Sequence, residues 1–279
     1  MSRSGAAGTA LGAILSASLL ALFILPIVAL ATYASPSDYL SVLQEPAARL
    51  SILFTLYASG IAVAICLSLG VPLGYLLARR RFPGKPLVEA AVGLPVVVPH
   101  LVAGFALLLL LSPGGLLGGL LPTLGLPVID SLSAVVLVMV FVSAPYTVLG
   151  STLAFQAVDE RLVEAARGLG ATSAEAFATV TFPIALRGIV AGGLLSWARS
   201  VSEIGGFLIL AYAVYPGPGY PGPVTAPISI FIFGEFETNL RAAAATSAVF
   251  VLIAFVLFLA VRALERSGRL PWRPGGILP

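Results

Sequence analysis

Arg199 and Glu203 stand four residues apart in an otherwise mostly apolar run, Trp197-Ala198-Arg199-Ser200-Val201-Ser202-Glu203-Ile204-Gly205-Gly206. On a helix that spacing is about one turn, so guanidinium and carboxylate share a face. Arg199 lies about 18 Å along such a helix from Arg187, near the middle of a bilayer-length segment. Charges at that depth are costly and face a cavity or a partner. Two readings stay open. The pair neutralises itself and holds helix packing, or it works in a polar path between helices. Gly205 and Gly206 permit close helix contact or a bend.

A second run joins two prolines to the only histidine, Gly93-Leu94-Pro95-Val96-Val97-Val98-Pro99-His100. Pro95 and Pro99 together prevent a straight, fully bonded helix. Membrane helices tolerate this where neighbours or water satisfy the freed carbonyls. His100 has no carboxylate or cysteine near it in its segment, so it reads as a packed or water-facing polar residue and not as a metal ligand. The spacings of enzymes are missing. There is no H-E-x-x-H, no G-x-S-x-G and no aspartate pair in the apolar runs. Gly84-Lys85 is followed by proline and lacks the upstream glycine of a phosphate-binding loop, so ATP hydrolysis is not expected of this chain.

The elements that must position these residues are membrane helices. Of 279 residues, 59% are hydrophobic and 10% charged, against about 25% charged in soluble domains. The apolar residues come in blocks long enough to cross a bilayer, and the blocks lack the alternation of barrel strands. Six spans are expected, at about 9–33, 50–78, 88–111, 132–157, 184–212 and 242–263. The first is too long for the apolar region of a secretory signal and is read as an uncleaved span. The expected fold is all-α and polytopic, a single domain over 1–279 with a core at about 50–265. Cys66 has no second cysteine to pair with. The net charge of +3 comes with no basic-aromatic patch, so nucleic acid is not an expected partner.

Basic residues orient the spans. With the N-terminus inside, the inner segments hold Arg3, Arg79, Arg80, Arg81, Lys85, Arg161, Arg167, Arg187, Arg262, Arg266, Arg269 and Arg273, while the outer ones hold Arg49 and Arg241. This asymmetry predicts both termini in the cytoplasm. It also puts a polar interruption at about 158–183 on the inner side.

That interruption, Glu164 to Pro183, reads EAARGLGATSAEAFATVTFP. Asp159 suits a helix N-cap, and Leu162, Ala165, Ala166 and Leu169 form one apolar face. Gly168 and Gly170 supply a stop. Thr172-Ser173-Ala174-Glu175 is a capping-box pattern that opens a second short helix. Pro183 suits the first turn of the fifth span. An amphipathic loop resting on the membrane would also account for such a segment.

These residues resemble the EAA loop of permease subunits of ATP-binding-cassette importers. Glu164-Ala165-Ala166 is followed by Gly170 at the family spacing, and Val180-Thr181-Phe182-Pro183 stands where I-x-L-P is usual. The likeness extends from Ala78–Lys85 through Leu94, Pro95 and Pro99 to the sixth span. The run Arg199-x-x-x-Glu203-Ile204-Gly205 is similar to the oxyanion branch, the molybdate, tungstate and sulfate permeases. The resemblance implies the type I importer fold, with Glu164, Ala165, Ala166, Gly170 and Pro183 in a coupling helix docked on a separate ATPase subunit. ATP would be used by that partner, with no cofactor on this chain. It implies Pro95, Pro99, His100, Arg199, Glu203 and Gly205 at the translocation path or gate, a second copy of the chain, and an extracytoplasmic binding protein received by the proline- and glycine-rich segment 212–239. The expected function is import of an oxyanion, molybdate or tungstate, across the cell membrane. The alternatives are a permease for sulfate or another small solute, and an ion-gradient-driven secondary transporter.

Overall fold

The computed structural model describes residues 3–112 and 114–266. The tail carrying Arg269, Pro271, Arg273, Pro274 and Pro279 lies outside the described residues. Regular secondary structure in the described residues is helical apart from two isolated bridges, Val214 with Thr225 and Gly217 with Tyr220, and turns and irregular segments join the helices. Its helices are α1 Arg3–Tyr33, α2 Pro36–Gln44, α3 Pro46–Arg79, α4 Lys85–Val97, α5 His100–Leu111, α6 Leu120–Thr123, α7 Leu132–Gln156, α8 Glu160–Gly168, α9 Ser173–Ala176, α10 Phe182–Val201, α11 Gly205–Leu210, α12 Ile228–Thr238 and α13 Leu240–Arg266. A π turn, Phe177–Thr181, joins α9 to α10. The chain divides into two compact units, one ending at Arg49 and resuming at Phe231–Ile253, the other formed by Leu50–Ile230 and the chain from Ala254 onward.

Among the described residues, five helical segments are long and apolar enough to cross a membrane: Leu11–Tyr33, Pro46–Arg79, Leu132–Gln156, Ser173–Val201 and Leu240–Ala263. The third expected span is sharper than a kink. It is two helices, α4 and α5, bent by 116°. Pro95 is carried inside α4. The break falls at Val98 and Pro99, both extended, because a residue before proline is driven out of the helical region.

The fifth expected span is corrected at both ends. Its helix stops at Val201 instead of reaching Tyr212, and α11 begins afresh at Gly205. Ser200 and Ser202 donate their hydroxyls to the carbonyls of Trp197 and Arg199, three residues back, which competes with the helical ladder. At the other end the rod starts at Ser173, so the second polar helix and the fifth span are one piece of 29 residues. Pro183 would clash with the carbonyl four residues back in a regular helix, and that residue, Thr179, lies within the wider π turn.

Helix α7 is the centre of the larger unit, with 61% of its apolar window buried. Without a hydrophobic drive in lipid, helices associate through close backbone packing. A Cβ on Gly150 of α7 would lie 2.7 Å from the Cα of Gly192 on α10, and one on Gly74 of α3 would lie 2.7 Å from the Cβ of Ser151. Glycine is needed at both crossings. The core of this unit gathers Phe54, Leu107, Val135, Met139, Phe207, Leu210 and Tyr220. A second cluster gathers Phe155, Val158, Ala185 and Ile189 at the far end of α7. In the other unit, Ala34, Val42, Ala48 and Ala245 form a small core, and none of the Leu11–Tyr33 window is buried.

Candidate functional site

The two broken spans meet. Helices α5 and α11, the half-helices that follow the breaks, lie so close that a Cβ on Gly205 would sit 2.5 Å from the Cβ of His100. Gly104 likewise faces Gly206, its imagined Cβ 3.0 Å from that residue's Cα. Three polar side chains converge here. Arg199 comes from the last turn of α10, His100 from the first turn of α5, and Glu203 from the link between α10 and α11.

Glu203 is fully buried and every oxygen it carries is engaged. Oε1 accepts the backbone N–H of Gly206 at 2.8 Å, which caps the start of α11. Oε2 accepts from Arg199 Nη2 at 2.8 Å and lies 3.4 Å from His100 Nδ1. The backbone carbonyl of Glu203 accepts the Ser229 hydroxyl at 2.6 Å. The same Arg199 Nη2 is 2.9 Å from His100 Nε2. A guanidinium only donates, so Nε2 must accept, which directs the ring proton on Nδ1 toward Glu203. Arg199 Nη1 is buried and has no hydrogen-bond partner among the described residues. Half of the His100 side chain is exposed beside it.

Of the residues singled out from sequence, the structure therefore brings together His100, Arg199, Glu203 and Gly205. Pro99 is the residue from which α5 starts, and Pro95 sits one turn earlier in α4. Arg199 lies at a helix end instead of inside a continuous span. Two partners escaped the sequence reading, the Gly206 amide and the Ser229 hydroxyl. The paired glycines 205 and 206 were a local signal for the first; Ser229 had none.

The polar segment forms the other candidate surface. Asp159 caps α8 by accepting the Arg161 N–H at 2.9 Å. Gly170 adopts φ +98°, a conformation that side chains rarely take. Thr172 and Glu175 complete a capping box, the Thr172 N–H bonding Glu175 Oε2 at 2.7 Å and the Glu175 N–H bonding the Thr172 hydroxyl at 3.2 Å. Those bonds hold the Glu175 carboxyl below its ordinary pKa. Val163 packs inward against the Phe155 cluster. The expected apolar face turns outward: Leu162 is 50% exposed and Leu169 90%. Glu164 and Ala165 are exposed as well, and Ala166 is half-buried. Pro183 stands in the first turn of α10.

A third feature is the segment that follows α11. Asp130, at φ +49°, holds it at three points: its N–H bonds the Leu210 carbonyl, its carbonyl takes the Tyr215 N–H, and Oδ1 takes the Ala213 N–H. Tyr220 closes the turn on Pro223 at 2.7 Å and packs edge-on against Phe54. Burial raises the Tyr220 hydroxyl above its ordinary pKa. Tyr212, Tyr215 and Val224 remain more than half exposed. Among the described residues no group of three His, Cys, Asp or Glu side chains is gathered for a metal ion.

Residues 70–269 match the family model described as binding-protein-dependent transport system inner membrane component. The molybdate/tungstate transport system permease protein of Pyrococcus furiosus is 35% identical over 229 residues, 81% of this chain and 82% of its own. A probable molybdenum ABC transporter permease protein of Haloferax volcanii is 35% identical over 259 residues, 93% of this chain and 90% of its own. Among solved structures, a bacterial ABC transporter involved in import of the acidic polysaccharide alginate superposes with TM-score 0.66 at 18% identity, covering 92% of this chain and 96% of that one.

Proposed function

The chain belongs to the family of binding-protein-dependent transport system inner membrane components, and on that premise we propose that it is the permease subunit of an ATP-driven importer for molybdate or tungstate. As a single permease domain it has both termini on the cytoplasmic face of the cell membrane. The segment of α8 and α9, with Glu164, Ala165, Ala166, Gly170 and Pro183, docks on an ATPase subunit that binds and hydrolyses ATP. The observation that carries this reading is the outward apolar face of α8. Leu162 and Leu169 present uncovered side chains on a short, doubly capped element, which suits insertion into a cleft of another protein.

Pro95, Pro99, His100, Arg199, Glu203 and Gly205 form the gate of the translocation path. Two broken helices there bring an arginine and a histidine to one point without exposing the carboxylate that balances them. A second copy of the chain supplies the other half of the path. The uncharged tyrosine- and proline-rich segment 212–224 receives an extracytoplasmic binding protein, which does most of the selecting. Molybdate and tungstate are supported by the names of relatives that cover most of the chain.

The test is reconstitution. The chain is co-expressed with an ATPase subunit and an oxyanion-binding protein from the same organism, purified as a complex and placed in vesicles. ATP-dependent accumulation of molybdate or tungstate, unaffected by excess sulfate, is the expected result. Uptake that needs no ATP, or a chain that assembles with no ATPase, would overturn the reading.

A further inference from the structure

Arg79 is the last residue of α3, and its side chain is mostly buried, with 14% exposed. Its guanidinium forks between two neighbours. Nη1 donates to Glu160 Oε1 at 2.8 Å and Nη2 donates to the backbone carbonyl of Val158 at 2.8 Å. Those two residues flank the joint between α7 and α8. Val158 lies just past the end of α7, and Glu160 is the first residue of α8. An exposed ion pair alone would contribute little. A planar fork with one arm on a fixed carbonyl is different, because it sets an angle as well as a distance.

The return of the same segment is held by the turn before. Tyr75 packs edge-on against Phe177 at 5.0 Å and against Phe155 at 5.1 Å. Phe177 opens the π turn that leads into α10. The last two turns of α3 thus grip both roots of the 160–176 segment. Remove the fork, and the link between α7 and α8 is three residues, 157–159, steadied by the buried Val158 side chain and the inward packing of Val163, neither of which fixes the angle of α8. A push on α8 would then be absorbed by that link.

We propose that Arg79 is a positioning residue for coupling. Through its fork to Glu160 and Val158 it makes α8 move as one body with α3, so that displacement of α8 by the ATPase reaches the spans. The proposal rests on the reading of α8 and α9 as the ATPase-docking segment.

The experiment uses the complete transporter in vesicles and reads two quantities, molybdate imported per ATP hydrolysed and the yield of assembled complex. Arg79→Ala should assemble at wild-type yield and keep hydrolysing ATP, with import per ATP down by about tenfold, as expected for loss of charge-assisted bonds. Arg79→Lys retains a charge but cannot make the fork, and should recover part of the ratio. Glu160→Gln keeps the Val158 arm and should show a smaller loss, which provides the reading if Arg79→Ala fails to accumulate. An unchanged ratio in these variants overturns the proposal, as does a loss of import that merely follows a loss of assembled complex. If the unaltered chain captures no ATPase, the functional reading itself falls; if it does and the variants stay coupled, only the role of Arg79 falls.

Discussion

Glu203 has no exposed surface, and its two oxygens are committed to Arg199, His100 and the Gly206 amide. Neutralising it leaves a largely buried guanidinium without its counter-charge. Glu203→Gln should lower the stability of the purified protein by ~3–5 kcal/mol, the cost of breaking a buried pair from one side, read as a lower melting temperature in detergent. Replacing both charges separates packing from transport. Arg199→Met with Glu203→Gln removes the pair but keeps an acceptor for Gly206. Such exchanges are close to neutral for stability, so the double variant should melt near the wild-type temperature. If the cluster is the gate, its uptake will still be lost. Normal uptake in the double variant would leave the pair as a packing device.

At the scale of elements, the capping box of α9 sets a pH window. The folded Glu175 carboxyl is held below its ordinary pKa, first by the Thr172 N–H. Its stabilisation is therefore complete above the ordinary carboxylate range and lost as pH falls through the lowered value. Hydrogen-exchange protection of the Ala176 amide, which bonds the Thr172 carbonyl, should decline in that acid range, and Glu175→Gln should flatten the dependence. Gly170 bears on the same segment. Gly170→Val places a branched side chain at φ +98°, costing roughly 1–2 kcal/mol, and should lower import per ATP; Gly170→Asn, which tolerates left-handed geometry better, should lower it less. The caps at Asp159 and Thr172 were legible in the sequence because capping is a local transaction between residues two or three apart. The ends of the fifth helix were not. Hydropathy continues unbroken from Ile204 to Leu210, so it reports how much chain is apolar and not where the ladder stops. Periodicity does not show that α8 turns Val163 inward and leaves Leu169 bare, since that choice depends on packing against Phe155 and Tyr75.

For the whole molecule, the count and location of apolar blocks were readable because a bilayer imposes one length on every span. Contacts across long separations were not. His100 meets Arg199 and Arg79 meets Glu160 only because the fold delivers them, and no spacing rule covers such pairs. The proposed orientation carries its own prediction. Cys66 is buried and is the sole cysteine, so Cys66→Ser gives a clean background for single reporters. An Arg161→Cys thiol should react with an impermeant maleimide only after cells are opened, and a Tyr215→Cys thiol in intact cells. Labelling of both from the same side would refute the arrangement of spans.

The rod from Ser173 to Val201, continuous through its π turn, has one more consequence. A helix turns by about 100° per residue, so the azimuth of Arg199 is referred back, residue by residue, to the capping box at Thr172. What α10 must conserve is its count as much as its composition. Insertion of one alanine between Ala191 and Leu194 would swing Arg199 about 100° away from His100 while leaving both ends chemically intact. The number of residues between the two ends is itself a working part.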